Sequence, residues 1–320
     1  MTGGGTATVA YVHEPVDDYA GSPTDSDYKT PGKDHTITDL SIDNALARLR
    51  NSGFVEQREA IKTTFEGALG VEFALGNPWF LNHVFGGTPS SSGSAPTTYT
   101  WSPQSGRVQS SRWYIGVDYL DGTAEREVAG VVFPQMELSW NGDDVPRVSL
   151  TGFYASEDFN TSLTPGSTPT EQQTTYAPSA LTLDIPNSST VAKLQSATLT
   201  VAPNSRPHRG TDPEPIDAVI GDWTTDLTVE SIITETSYLQ QAYGGSSATS
   251  TQAAVDAFAD ATLDFQGPNN DAFVVGLTGL TPSTYSWNEI GNPENDITES
   301  VDFAVDGIEI AADSSEGSAR

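Results

Sequence analysis

Apolar and polar residues alternate with period two along much of the chain, which predicts strands that bury one face. From Phe65 the apolar positions run Phe65, Leu69, Val71, Phe73 and Leu75. The spacing then changes to Phe80, Leu81, Val84 and Phe85, one stripe on a short helix. Asn77-Pro78 reads as an N-cap with a first-turn proline, and Gly86-Gly87 as a left-handed stop. The same events recur at a constant offset of 158 residues, as Trp223, Leu227, Val229 and Ile233, then Tyr238, Leu239, Ala242 and Tyr243, then Gly244-Gly245. The repeated unit is therefore a strand, a short helix and a glycine turn. Phe80, Leu81 and Phe85 in one copy, and Tyr238, Leu239 and Tyr243 in the other, are the residues expected to pack the helix down.

Other matches extend the two copies. Leu40-Ser-Ile42 resembles Leu199-Thr-Val201, Val148-Ser-Leu150 resembles Val301-Asp-Phe303, and Ala7-Thr-Val9-Ala-Tyr11 resembles Leu181-Thr-Leu183-Asp-Ile185. Alternation also predicts strands over 113–119, 132–140, 147–154, 272–277 and 297–310, and Gln252 to Ala259 reads as a further short helix. Residues 160–175, rich in Thr, Ser and Pro, have no periodicity. The expected organisation is mainly β, with two tandem β-sandwich or barrel modules, each with a short flanking helix. The modules span residues 1–158 and 178–312, joined by a linker at 159–177 and followed by an acidic tail at 313–320.

Charge narrows the function. Across 320 residues there are 14 Lys and Arg against 43 Asp and Glu, a formal net charge of −29. Proteins that grip nucleic acid neutralise phosphates with Lys and Arg, so specific DNA binding is excluded. Lys29, Lys33, Lys62 and Lys193 are the only lysines, and there is no cysteine, a balance similar to proteins of haloarchaea and their viruses. At ~1 M salt the Debye length is about 3 Å, which screens most of the self-repulsion. The missing cysteines exclude disulfides and thiolate chemistry. The N-terminus lacks a signal-peptide pattern, and no run of 18 apolar residues predicts a membrane span.

Catalytic patterns are sparse. His13, His35, His83 and His208 are the only histidines, and none has another within five residues, so no zinc-type pair is expected. His83 reads as a structural residue of the first helix. Asp143-Asp144 follows Trp140-Asn-Gly, the chemistry of a hairpin turn. No cofactor and no enzymatic activity are expected. Arg48 and Arg50 follow one Leu-x-Ile strand, and Arg206 and Arg209 follow its counterpart. These four are candidate subunit-interface residues, because arginine binds carboxylates through two parallel hydrogen bonds.

These elements, in this order, resemble the major tail tube proteins of long-tailed viruses. The resemblance rests on Leu40 to Asn44, on the strand and short helix ending at Phe85-Gly86-Gly87, and on Gly130 to Phe153 with its Trp140-Asn-Gly-Asp-Asp turn. It implies modules that close six to a ring around a DNA-wide lumen, and rings that stack into a tube. With two modules fused, it implies three chains per ring, a homotrimer with pseudo-sixfold symmetry. The implied partners are other copies of the chain, the tail terminator, tape measure and distal tail proteins, and genomic DNA passing without specific binding. The implied location is the virion tail, with synthesis in the host cytoplasm. Two rivals remain open: a β-sandwich adhesin presenting aromatics such as Trp113 and Tyr114, and a glycan hydrolase using Asp118 and Asp121.

Overall fold

The computed structural model describes residues 7–23, 27–50, 52, 59–94, 96–165, 174–185, 194–268 and 271–314. The first part of the chain supplies β1 (Ala7–His13), β2 (Lys33–Leu49), β3 (Glu59–Ala74), helix α1 (Leu81–Phe85), β4 (Ser90–Ser92), β5 (Thr97–Trp101), β6 (Ser111–Tyr119), β7 (Gly122–Asn141), β8 (Asp144–Tyr154) and β9 (Ser156–Asn160). The second part supplies β10 (Leu181–Asp184), β11 (Leu194–Ala202), β12 (Arg206–Arg209), β13 (Pro215–Val219), β14 (Thr224–Ile232), helix α2 (Ser237–Tyr243), β15 (Phe258–Gln266), β16 (Ala272–Asn288) and β17 (Thr298–Ser314). The protein is mainly β, built of large antiparallel sheets with two short helices.

Neighbouring strands follow one order twice. The first series runs β2-β3-β8-β7-β6-β1 and the second β11-β14-β17-β16-β15-β10. At a glycine of positive φ the fourth strand changes its pairing: around Gly130 (71°) β7 leaves β6 and β9 for β8 and β11, and next to Gly279 (67°) β16 loses β15 while keeping β17 along its whole length. Only glycine takes that conformation at little cost. The strand therefore bends there and serves both layers of a sandwich, around a core that includes Tyr11, Phe73, Trp79, Trp113, Phe133, Phe265 and Phe303.

The two series are also joined. β11 pairs with the C-terminal half of β7, Leu199 facing Leu138 and Val201 facing Met136, so one sheet runs across both. Outside this sheet face, β5 pairs with the end of β17, and the β12–β13 hairpin lies back on the first series. There Arg107 Nε donates to Asp217 Oδ2 at 2.6 Å, and the Trp223 ring meets Phe85 at 5.4 Å.

Several expectations change. Gln252 to Asp256 forms no helix: Gln252 N donates to Tyr243 O and Asp256 N to Gly244 O, while Phe258 begins β15 opposite Leu280. A helix nucleus gains one hydrogen bond for several fixed residues, and this segment, with Val255 its large aliphatic residue, gains more by strapping the end of α2. Asn77 does not cap α1 itself. Its Oδ1 accepts from Trp79 N in a preceding turn closed by Leu81 N→Pro78 O, whereas Gly86 does supply the left-handed stop at φ 89°. Sequence matching aligned Val148 with Val301, but the ladders set Leu150 at that place, because Val71 faces Leu150 and Val229 faces Val301. The shift of two keeps the face and so leaves the alternation unchanged. Phe159 and Asn160 belong to β9 rather than a linker, and Asp313 and Ser314 to β17 rather than a tail. Most of the serine- and threonine-rich stretch, 166–173, and residues 315–320 lie outside the described residues.

Candidate functional site: a two-faced sheet with open edges

Cross-strand partners define two kinds of row through the joined sheet. One row reads Phe73, Val148, Leu138, Leu199, Leu227, Phe303, and every member is buried. The neighbouring row, one residue along each strand, reads Glu72, Ser149, Glu137, Thr200, Asp226, Ala304, and none is buried. The next reads Arg147, Ser139, Thr198, Thr228, Asp302. Hence one face is core and the other is a hydroxyl-rich surface crossed by acids. Asp39 and Glu230 stand on that face too, opposite Gly70 and Ser196. Arg147 is the cation in these rows, and it is already neutralised: NH1 lies 3.1 Å from Glu72 Oε1 and NH2 2.5 Å from Asp34 Oδ2. The net field of the face is negative.

The sheet ends on two unlike strands. β2 pairs with β3 on one side, and no described strand pairs with its other side. The Thr281–Asn288 stretch of β16 pairs with β17, β15 having ended opposite Leu280, and no described strand pairs with its second edge. Unpaired edges of this length invite further strands.

Three of the four candidate arginines occupy strands rather than loops. Arg48 lies on β2 opposite Ala60, in a hairpin arm that projects past the core; Arg50 follows it, exposed. Arg206 and Arg209 lie on β12, where Arg209 NH1 donates to Phe65 O at 3.3 Å and NH2 approaches Glu66 Oε1 at 3.5 Å. The hairpin fold of both connections, which offers main-chain pairing even to polar residues, moved them. Of the helix residues, Phe80, Leu81, Phe85 and Tyr238 are buried, whereas Leu239 and Tyr243 are partly exposed. Trp113 and Tyr114 are buried, contrary to the adhesin reading: Trp113 stacks on Tyr11 and meets Phe133 in the core, and Tyr28 lies edge-on to Tyr114. Asp118 is exposed on β6 and accepts from Thr123 Oγ1 at 2.8 Å. Asp143 sits in the expected hairpin turn, its N–H donating to Asn141 Oδ1.

Sequence spacing missed a buried histidine pair. His83 Nδ1 lies 3.2 Å from Gln109 O, which can only accept, so Nδ1 carries the proton and Nε2 accepts from His13 Nδ1 at 2.8 Å. Seventy residues separate the two rings in sequence, and only the folding of β1 over α1 brings them together. Burial pushes His83 down to about 4 and holds His13 well below its ordinary value, the neighbouring His83 and Lys29 adding to the effect on His13. The unfolded chain then binds more protons below about pH 6.5. Stability should be flat above that pH and fall toward pH 4, by about 3 kcal/mol for His83 alone. Denaturation titrations of the wild type and His83→Gln, compared between pH 7 and 4, will show it: the difference between them should shrink as the pH falls, and a constant difference refutes the assignment.

Among the described residues no three histidines or acids gather as a metal site, and no helix is long and apolar enough to cross a membrane. A sheet with one core face, one acidic face and open edges defines a structural β protein whose chemistry is that of a surface. The family model for the phage tail tube protein matches residues 4–305, nearly the whole chain. The chain belongs to the phage tail tube protein family, and is thus a structural component of a viral tail that assembles with itself and other tail proteins. No curated protein matches it.

Proposed function

We propose that the chain builds the wall of a tube that conducts genomic DNA from capsid to host, in the tail of a long-tailed virus of a high-salt host. The observation that carries this reading is the acidic face of the joined sheet. Duplex DNA bears one negative charge per ~1.7 Å, so a wall of carboxylates and hydroxyls repels its backbone and gives it no cation to rest on. Each chain contributes two tandem modules, one per strand series, because the two series repeat one order of ladders. Three chains then complete a pseudo-sixfold ring. Terminator, tape measure and distal tail proteins would meet the ends of the stack.

The four arginines support assembly in this reading. Arg209 already meets Glu66 across the two series, and Arg48 and Arg50, on the connection in the corresponding place, would meet carboxylates of the next chain in the same manner. Charge reversal at Arg48 and Arg50 should slow assembly, most strongly at low salt; assembly unchanged at every salt concentration refutes their role.

Electron microscopy of the purified protein in high salt tests the whole. Rings or tubes with a pore of about 30–40 Å are expected, since B-DNA with its hydration needs more than its diameter of about 20 Å. A dispersed monomer overturns the reading.

A further inference from the structure

The β7·β11 ladder is a junction made inside one chain, and the other ladders show which strands stand at the same place in each series. Val71 faces Leu150, which faces Met136; 158 positions on, Val229 faces Val301, which faces Tyr285. By the same route Leu138 corresponds to Trp287. Leu40 faces Leu69 as Leu199 faces Leu227. Tyr285-Ser286-Trp287 therefore holds in the second series the place of Met136-Glu137-Leu138 in the first. Leu40-Ser41-Ile42 holds that of Leu199-Thr200-Val201. Where the junction exists these positions are covered: Leu138 is 2% exposed and Val201 0%. Their counterparts stand open, Trp287 at 47% and Ile42 at 45%.

Resting on the tube reading above, we propose that β2 of one chain adds antiparallel to the free edge of β16 in the next, in the register of the internal junction. Ile42 then faces Tyr285, Ser41 faces Ser286 and Leu40 faces Trp287. The apolar residues left in water support the choice of occupant. Ile42, Leu46 and Ile61 are exposed on the β2–β3 arm, Trp287 on the open stretch of β16, Ile290 just after it, and Val255 in the strap on the end of α2. Inside the chain, the connection 203–223 packs on the end of α1 and on residues 104–108, Ile220 N donating to Gly106 O at 2.9 Å. The arm is the matching connection of the first series, and the strap at 252–256 on the end of α2 is the matching surface. A second copy of this chain thus presents to each open edge the complement that the chain already uses internally. Because β2 and β16 are unlike, each addition leaves the same two edges exposed, and only closure into a ring removes them.

The absence of cysteine makes the register directly testable. Facing residues place their Cβ atoms about 4.5–5.5 Å apart, near enough for a disulfide after a small adjustment. Ser41→Cys with Ser286→Cys should yield covalent multimers on a non-reducing gel after assembly and oxidation, ending at a closed ring. Glu137→Cys with Thr200→Cys, which face each other across the internal junction, should cross-link within the chain and yield no multimers. Ser41→Cys with Thr284→Cys, two residues out of register, should remain unlinked. Assembled rings that link only through the out-of-register pair, or through neither, overturn the register while leaving the tube reading intact. Failure of the cysteine-free chain to form rings at all overturns the tube reading, and this proposal with it.

Discussion

Valine at position 130 is expected to destabilise the chain by about 2–6 kcal/mol, a large share of a typical domain's 5–15 kcal/mol. Gly130 sits at φ 71°, where a β-branched residue is strained by about 1–3 kcal/mol. An added Cβ would also lie 2.7 Å from Ala155 Cβ, and overpacking costs about 1–3 kcal/mol more. The position cannot relax, since the Gly130 N–H donates to both oxygens of the buried Glu14 at 3.2 Å and its carbonyl accepts from Tyr19 Oη at 2.9 Å. The same residue lets β7 pair with β6 before it and β8 after it. Gly142→Val is the comparison, because nothing lies within 4 Å of a Cβ there. It should cost less than about 1 kcal/mol. Denaturant midpoints measure both; equal losses would refute a special role for the bend. Gly279→Val, at φ 67° in β16, should behave like Gly130→Val.

The second large effect concerns the acidic face. Asp39→Lys, Glu137→Lys and Asp226→Lys change three exposed side chains that stand on that face. On the proposed reading a ring of three chains would then carry nine new cations toward the DNA. A surface making 6–10 phosphate contacts loses roughly 10³–10⁵ in affinity between 50 and 200 mM salt. Co-sedimentation of linear duplex DNA with assembled tubes should show retention by the lysine variant at low salt and its release as salt rises, with none retained by the wild type. Equal retention by both would mean that this face does not line the channel.

Much of the fold was legible because it is local. The strand from Phe65, the stripe of Phe80 to Phe85, the stop at Gly86 and the turn at Asn141 to Asp144 all depend on residues a few positions apart. Gln252 to Asp256 misled because its composition suits a helix, while its backbone groups find better partners at Tyr243 and Gly244, beyond any local window. The histidine pair was invisible for the same reason, its members being joined by β1 folding across α1. The arginines were expected in loops because nothing in Leu46 to Arg50 or Arg206 to Arg209 shows that polar hairpins form there.

By itself the sequence determined that the protein is mainly β, that its pattern of strand, helix and turn occurs twice, and that its surface is acidic. Period two tells which side of a strand is apolar, but it does not tell what lies against that side. Leu40 and Leu199 stand in nearly identical motifs, yet Leu199 is buried beneath the β7 junction and Leu40 lies at a free edge. Only the tertiary structure decides between them, because covering a strand edge requires a partner distant in the chain, or in another chain.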